Sequence, residues 1–383
     1  MSGLAVRDLP ETASTPVLEI DLSAVADNTR LLAGRASGEL MAVVKADGFG
    51  HGALDVARTA LANGATWLGA TSLLEALRLR DAGLTAPVLS WLNPVDADFG
   101  TAVAHGIDVA VPGLEHLAAV AAAPGRARVH LHVDAGMARD GASPSLWPQL
   151  CRSARRAEQR GELDVVGVMG HLGCAEDPGD PCNPAGRLRF AWALETARAA
   201  GLRPAHRHLA ATAATLTDPR THHTMSRVGA GLVGIDPSGT TVLRRPMRLT
   251  APLVTVRRVR AGTPVGYGHA HVTAASTHLG LVPLGYADGL PRLASGRAEV
   301  LVAGRRRPVV GRLSMDQLVV DLGDLPPAPG ATVTLFGPGD DGEPTVADWA
   351  RWAETIEHEI VTGLGHRVTR RVRTAGAHLR SLS

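Results

Sequence analysis

From residue 24 to about residue 235 the chain repeats one pattern. A short apolar, β-branched run is followed by a longer Ala/Leu/Arg stretch with apolar residues at helical spacing. The runs predict strands at 40–44, 66–70, 87–91, 108–111, 128–133, 165–170, 205–209 and 225–228, and 53–64, 73–83, 114–123, 146–160 and 184–200 predict helices between them. Eight strands, most of them followed by a helix, fit an α/β chain built as a (β/α)8 TIM-type barrel better than an open doubly wound sheet. No GxGxxG follows the first strand, which weakens a dinucleotide-binding alternative.

Beyond about residue 246 the texture changes. Shorter strands are predicted at 250–258, 279–283, 298–303, 317–321 and 331–336, separated by Gly/Pro turns such as Pro326-Pro327-Ala328-Pro329-Gly330. A short helix over Val346–Trp352, capped by Thr345, interrupts this C-terminal, mostly-β domain. The boundary falls at Arg244-Arg245-Pro246. The chain thus divides into a barrel over 16–245 and a β domain over 246–383, with residues 1–15 expected as a disordered tail. A strand within 16–22 is expected to pair with the β domain rather than to join the barrel.

Composition narrows the function. Hydrophobic residues make up 45% and charged residues 20%, a globular balance. No apolar run approaches the ~18 residues of a membrane span, and the first fifteen residues lack the basic start and apolar block of a signal peptide. A net charge of +2, with no basic run longer than Arg305-Arg306-Arg307, leaves no footprint for nucleic acid. Cys151, Cys174 and Cys182 are odd in number and lack CxxC spacing, so neither a disulfide framework nor a structural metal site is indicated. What remains is a soluble cytoplasmic protein, expected to be an enzyme.

Two scarce residue types sharpen this. Of the 39 basic residues, all but Lys45 are arginine. Codon bias can leave one lysine behind by chance. The other reading is that position 45 needs an amine that can lose its proton and form a Schiff base, which guanidinium cannot do. Lys45 also ends the apolar run Leu40-Met41-Ala42-Val43-Val44, a poor place for a merely solubilising cation. The chain has two tyrosines, Tyr267 and Tyr286, each beside a glycine, where a sharp turn can push the ring into a cleft.

In such barrels the residues that follow each strand face the active site. That rule selects Lys45, Arg139, His171, His208, Thr212, Arg227 and Gly229. Thr212 and Gly229 lie in the loops that commonly seat a phosphate, and a reactive lysine facing a phosphate seat suggests pyridoxal 5′-phosphate (PLP) as cofactor.

The motifs themselves resemble those of the alanine racemase family, almost end to end. They are Ala42-Val-Val-Lys45-Ala-Asp-Gly-Phe-Gly-His51-Gly, Val133-Asp-Ala-Gly-Met-Ala-Arg139, Met169-Gly-His171, His208-Leu-Ala-Ala-Thr212, Arg227-Val-Gly229, Gly266-Tyr267-Gly, Gly285-Tyr286-Ala-Asp-Gly and Gly311-Arg-Leu-Ser-Met315-Asp316-Gln. The resemblance implies a PLP-dependent amino-acid racemase, alanine by default, arranged as a head-to-tail homodimer with shared sites. It makes Lys45 similar to the lysine that carries PLP and serves as one acid/base, and Tyr267, from the partner's β domain, similar to the base on the opposite face. Arg227 resembles the residue that meets the pyridine nitrogen, and His171 the link between it and Tyr267. His208, Thr212 and Gly229 resemble other cofactor contacts. Arg139 resembles the residue near the cofactor phenolate and the substrate carboxylate, and the Met315 amide a second carboxylate contact; Asp316 shapes the Met315 loop, and Tyr286 resembles part of the substrate entry corridor.

Four positions depart from the family pattern. Phe49 stands where a tyrosine usually donates to the phosphate, and Thr212 replaces a common serine. His132 replaces a lysine that many members carry as a carbamate, and His358 replaces a second tyrosine beside the phosphate that narrows the gate. The proton-transfer set is kept while the phosphate grip and the gate are altered. Three alternatives stay open: a member specialised for another small amino acid such as serine, a member with other PLP chemistry, and a PLP-binding protein without turnover. The cysteines all lie in the barrel, against decarboxylases of this fold that use a cysteine of the C-terminal domain. The β domain argues against the single-domain, non-catalytic members.

Overall fold

The computed structural model describes residues 15–374 and 380–381, so all but the last residue of the expected N-terminal tail lies outside the described residues. The chain forms two compact units, one spanning Ala24–Arg244 and the other combining the residues up to Ser23 with those from Arg245 onward.

The segment before the barrel supplies β1 (Val17–Asp21). The first unit then contains β2 (Glu39–Val43), β3 (Trp67–Ala70), β4 (Val88–Ser90), β5 (Ile107–Val111), β6 (Ala127–His132), β7 (Leu163–Met169), β8 (His206–His208) and β9 (Met225–Val228). All seven adjacent pairings are parallel, in the order β8-β7-β6-β5-β4-β3-β2-β9. Hydrogen bonds from Thr224 N–H to the Arg207 carbonyl (3.1 Å) and from Arg227 N–H to the Ala210 carbonyl (3.0 Å) draw the two end strands together, so the barrel is nearly closed. Every expected strand is present; most are largely buried on both faces, as their apolar runs require, whereas β8 is polar and only its His208 is fully buried. Met41, Val43, Trp67, Leu89, Ala110, Met169 and Met225, from six different strands, fill the interior, which is a packed core and not a pore.

Between strands run helices, including the expected Ala53–Leu61, Leu73–Asp81, Leu114–Ala121, Trp147–Gln159 and Cys182–Ala199. Ser72 begins the second of these, its hydroxyl accepting the Glu75 N–H at 3.2 Å. The helices Leu22–Arg35 and Phe99–Ala104 were not apparent from periodicity. Residues 22–35 bury Leu22, Val25 and Leu32 but also Asn28 and Thr29, which blurs the apolar stripe. Asn28 is held by the carbonyls of Leu232 and Arg244, and Thr29 by that of Val25.

The second unit is mostly β. It contains β10 (Met247–Pro252), β11 (Thr255–Val259), the short hairpin β12 (Pro264–Val265) and β13 (His271–Val272), then β14 (Thr277–Val282), β15 (Glu299–Val302), β16 (Arg305–Val310), β17 (Leu318–Gly323), β18 (Thr332–Phe336), β19 (Thr369–Arg373) and β20 (Arg380–Ser381). β1 lies inside its main sheet, antiparallel to β10 and parallel to β19. The expected strand 250–258 is two strands, divided at Leu253-Val254, with β10 on β18 and β11 on β14. Strand β16 was hidden by its arginine run. Arg305 and Arg306 pair opposite Val302 and Leu301, while Val309 and Val310 turn into the core. Thr345 caps Val346–Trp352 in a reciprocal box with Asp348 (3.2 and 2.9 Å), and Trp349, fully buried, donates its Nε1–H to the Leu335 carbonyl at 2.7 Å.

Candidate active site

Lys45 stands two residues past the end of β2. Directly after it the backbone enters a left-handed turn, with φ of 51°, 53°, 62° and 55° at Ala46, Asp47, Gly48 and Phe49. Each non-glycine residue there costs roughly 1–2 kcal/mol, so the turn persists only because its surroundings hold it. The Gly48 N–H reaches the Val44 carbonyl (2.9 Å), Gly52 N–H the Asp47 carbonyl (2.8 Å), and Ala53 N–H the Asp47 carboxylate (2.9 Å). From the first turn of the helix Leu73–Asp81, Glu75 accepts the Ala46 N–H at 2.7 Å and, on its other oxygen, the Thr71 N–H and hydroxyl at 3.0 Å. The peptide beside Lys45 is thereby fixed. Burial, then the charges of Arg139 and Arg227, push the Lys45 ammonium below its ordinary range, with Glu75 opposing. A lysine with a depressed pKa presents more free amine at neutral pH, which is what a nucleophile or base requires.

Arg227, on β9, is buried, and burial lowers its guanidinium to about 10, still protonated at neutral pH. Its Nη1 donates to His208 Nδ1 (3.1 Å) and to the His208 carbonyl (2.8 Å). Its Nη2 donates to the Gly170 carbonyl (2.7 Å) and to His171 Nδ1 (3.2 Å). Four of its five N–H groups are thus engaged, and Nε–H is the one left for another acceptor. Because a guanidinium can only donate, His171 must accept at Nδ1 and carry its own proton on Nε2. Burial first, then the charges of Arg227 and Arg139, bring the His171 pKa down to about 3, so the ring is neutral. His208 lies one layer behind Arg227, fully buried, with both ring nitrogens occupied.

At the same end of the barrel as Lys45, the loops after β8 and β9 meet. The Thr212 hydroxyl gathers the N–H groups of Gly229 (3.4 Å) and Gly231 (3.2 Å), long bonds that leave both donors able to turn to an anion. Phe49 reaches this corner from the left-handed turn. A Cβ on Gly229 would fall 2.5 Å from its ring, so glycine is required there, and the ring's Cζ faces the same spot. Arg139 is exposed at the end of the loop after β6, which Asp134 shapes by accepting the N–H groups of Gly136, Met137 and Ala138 at 2.8–3.2 Å. His132, buried at the end of β6, has Asp140 Oδ2 3.3 Å from its Nδ1. Cys174, just past His171, lies against Cys182, and that contact pushes its thiol up to about 11, so it is no nucleophile at neutral pH.

The β unit brings a second set together. Tyr267 sits on a tight turn between Gly266 (φ 70°) and Gly268 (φ 66°), with Arg312 beside Gly268. Tyr286 and Met315 are joined by bonds from Tyr286 N–H to the Ser314 carbonyl (3.1 Å) and from Ala287 N–H to the Met315 carbonyl (2.9 Å). Gly285 has no room for a Cβ, which would meet those carbonyls at 2.3 Å. Asp316 pairs with Arg367 at 2.7 Å, and Arg367 also reaches Asp288. His358 is half-buried on the helix Glu357–Thr362, apart from these loops in sequence. Three residues escaped the sequence reading: Glu75, His130 and Asp108. A carboxylate within the apolar β5 run was the available signal, since a buried charge demands partners.

Comparison with known proteins agrees with this arrangement. The family profile described as "Alanine racemase, N-terminal domain" matches residues 20–237, and "Alanine racemase, C-terminal domain" matches residues 246–372. The chain is 48% identical over 359 residues to an alanine racemase of Thermobifida fusca, covering 92% of this chain and 96% of that one. It is 47% identical over 368 residues to that of Streptomyces coelicolor, covering 92% and 94%. A solved alanine racemase from Streptomyces coelicolor superimposes with a TM-score of 0.91 at 45% identity, covering 95% of this chain and 98% of that one. A solved alanine racemase from Bartonella henselae, described with covalently bound pyridoxal phosphate, gives 0.85 at 26% identity, covering 94% and 100%. Matched over both of its units, and by relatives close to half identical along nearly their whole length, this chain belongs to the alanine racemase family.

Proposed function

We propose that the protein interconverts L- and D-alanine with PLP as cofactor, Lys45 and Tyr267 handling the proton on opposite faces of the substrate. The observation that carries this is the setting of the chain's one lysine: a partly buried amine, kept below its usual pKa, that shares the barrel mouth with an arginine retaining one unengaged donor. The site fits PLP on its own terms. Lys45 offers the amine, Gly229, Gly231 and Thr212 offer donors for a phosphate, and the Arg227 Nε–H suits the pyridine nitrogen. PLP, when bound, supplies the electron sink that allows a Cα proton to leave at neutral pH.

The chain's own groups do the rest. Lys45 would hold the cofactor through Nζ and would take or return the substrate proton at that atom. Arg227, permanently a donor, offers the ring nitrogen a hydrogen bond and no transferable proton, which moderates the sink and, we infer, limits stray transamination. Arg139 is placed to offer a fork of donors to the substrate carboxylate. The second base is Tyr267 from the β unit of a head-to-tail partner, with His171 Nε2–H available to the partner's Tyr267. Tyr286, Met315 and Asp316 form the entry side of the site.

The test is chiral analysis of PLP-loaded protein with L-alanine, D-alanine and other L-amino acids in deuterated water. Inversion of alanine with deuterium gained at Cα supports the reading. Inversion of serine or another amino acid in preference to alanine would favour a specialised member instead. No inversion of any amino acid would remove racemisation altogether.

A further inference from the structure

Behind Arg227 the barrel encloses a line of polar groups that the reaction, as read above, does not use. His208 Nε2 is 2.8 Å from His130 Nδ1, and His130 Nε2 is 3.3 Å from Asp108 Oδ2. Asp108 in turn holds Arg128 through two bonds, 2.9 and 3.2 Å. Both imidazoles are fully buried and Asp108 is 2% exposed. The line passes from β9 through β8 and β6 to β5, across the barrel interior.

Its proton positions follow from the two ends. Arg227 can only donate, so His208 Nδ1 accepts and the His208 proton resides on Nε2. That N–H points at His130 Nδ1, which must accept, so the His130 proton resides on Nε2. There it meets Asp108, an acceptor when ionised. Each ring has one possible tautomer, and every hydrogen bond runs from Arg227 towards Asp108. An imidazolium at either ring would place two N–H groups head to head. Burial disfavours the charged form of both rings in any case.

The surroundings are shaped around this line. Gly167 lies in β7 where any Cβ would fall 2.0 Å from His130 Nδ1, so a glycine is kept inside a strand, where glycine is unfavourable, to admit the imidazole. Trp67 meets His130 edge-on at 5.7 Å and His206 stacks on it at 5.9 Å. Glu39 fixes both neighbours, accepting Trp67 Nε1–H at 3.1 Å and lying 3.0 Å from His206 Nδ1. A ring so enclosed has one orientation.

We propose that Asp108 and His130 are positioning residues for the reaction: through His208 they fix the plane of the Arg227 guanidinium and the direction in which its free Nε–H points. The proposal rests on the racemase reading for its catalytic consequence, but the line itself exists in the protein without cofactor. Arg227 meets four acceptors, and only the His208 ring among them has an orientation set from further away. Removing Asp108 leaves the His130 Nε2–H without its acceptor, frees that ring to exchange tautomers, and lets His208 tilt. The guanidinium then loses the acceptor on Nη1 that keeps Nε–H aimed at the cofactor side.

The experiment begins with nitrogen NMR of 15N-histidine-labelled, PLP-free protein. His208 and His130 are expected as neutral Nε2–H tautomers, with coupling across the shared hydrogen bond. If wild-type His208 carries its proton on Nδ1, or either ring is imidazolium at neutral pH, the proposal is wrong whatever the enzyme does. Asp108→Ala is the perturbing variant and Asp108→Asn, the same size and still an acceptor, is the rescue. In Asp108→Ala the two tautomer signals should broaden or mix, kcat for alanine should fall tenfold to a hundredfold with KM within a few-fold, and the ratio of transamination to racemisation should rise. Asp108→Asn should restore the tautomers and most of kcat. An Asp108→Ala protein with mixed tautomers but unchanged kcat and partition ratio would overturn the positioning role. If Asp108→Ala does not fold, Asp108→Leu, which keeps the volume and removes the acceptor, takes its place, with the same expected mixing of tautomers and rise in the partition ratio, and unchanged kcat and partition ratio beside mixed tautomers overturning the proposal. Failure of the racemase reading would appear separately, as absence of Cα deuterium in the wild type, with the NMR result intact.

Discussion

The two units present their candidate residues in opposite ways. In the barrel, Arg227, Thr212 and His208 are at most 5% exposed, and each is tied to a named partner. In the β unit, Tyr267 is 69%, Met315 53% and Tyr286 40% exposed, standing on glycine-rich turns whose backbone is fixed while the side chains reach outward. The barrel organises its own chemistry, at the expense of burying charge. The β unit organises only the backbone beneath its side chains. The role proposed for Tyr267, opposite a partner's Lys45, is better served by this second arrangement, because what it would meet lies outside its own unit.

The comparison predicts effects of different size. Lys45→Arg should be the largest, removing nucleophile and base together for a loss of at least ~10⁴-fold in turnover. Mass spectrometry after borohydride reduction should find no protein-bound PLP. A reducible bond in that variant would break the reading, since no other lysine can take its place.

Tyr267→Phe comes next. A loss of roughly 10²–10⁴-fold is expected, unequal between the two faces: proton exchange on the lysine side continues while deprotonation on the other fails. Because the ring is exposed within its unit, the unfolding temperature of the monomeric unit should barely move. Small and equal effects from both enantiomers, measured by isotope wash-in, would take Tyr267 out of the mechanism.

Phe49→Tyr tests the altered phosphate corner. A hydroxyl on the ring's Cζ enters the space beside Gly229, and a hydrogen bond to a charged group is worth about 1.5–3 kcal/mol, so PLP should bind tenfold to a hundredfold more tightly. Combined with His358→Tyr, it should also narrow substrate choice towards alanine. If equilibrium dialysis shows unchanged PLP affinity and the alanine-to-serine ratio stays put, these positions do not carry the difference.

The last effect concerns stability and is read against pH. His171 falls from an ordinary 6.5 to about 3 in the folded protein, so between those values the unfolded chain binds a proton that the folded chain refuses. Its contribution is therefore fully present above pH 6.5 and is lost as pH falls towards 3. PLP-free protein should show unfolding free energy declining on acidification across that window, and His171→Asn should flatten the slope. An unchanged slope would mean that the ring is not buried neutral.

The legibility of the molecule follows the same division. Most barrel strands could be read because burial on both faces leaves apolar runs, and Lys45 stood out because a single amine remained among arginines. Strand β16 could not be read, since Arg305-Arg306-Arg307 looks like a basic run until pairing with β15 explains it. Glu75, His130 and Asp108 were missed because their roles are towards other residues, across elements that only the fold brings together. His208 was legible as a site position, but its being turned inward, behind Arg227, was not: strand ends show where a residue lies and not which neighbour takes its ring nitrogens.

The left-handed turn after Lys45 carries one more consequence. At Ala46, Asp47 and Phe49 the backbone follows the path that mirror-image residues would prefer, and only Gly48 is indifferent to handedness. Tolerance at these positions should therefore be governed by shape at Cβ before polarity. In a library covering residues 46–49, Val, Ile and Thr should be depleted at 46, 47 and 49 alike, whatever the polarity of the native residue, while Gly and Asn survive. A D-alanine introduced at 46 by semisynthesis should relieve roughly 1–2 kcal/mol of backbone strain that the L-residue bears.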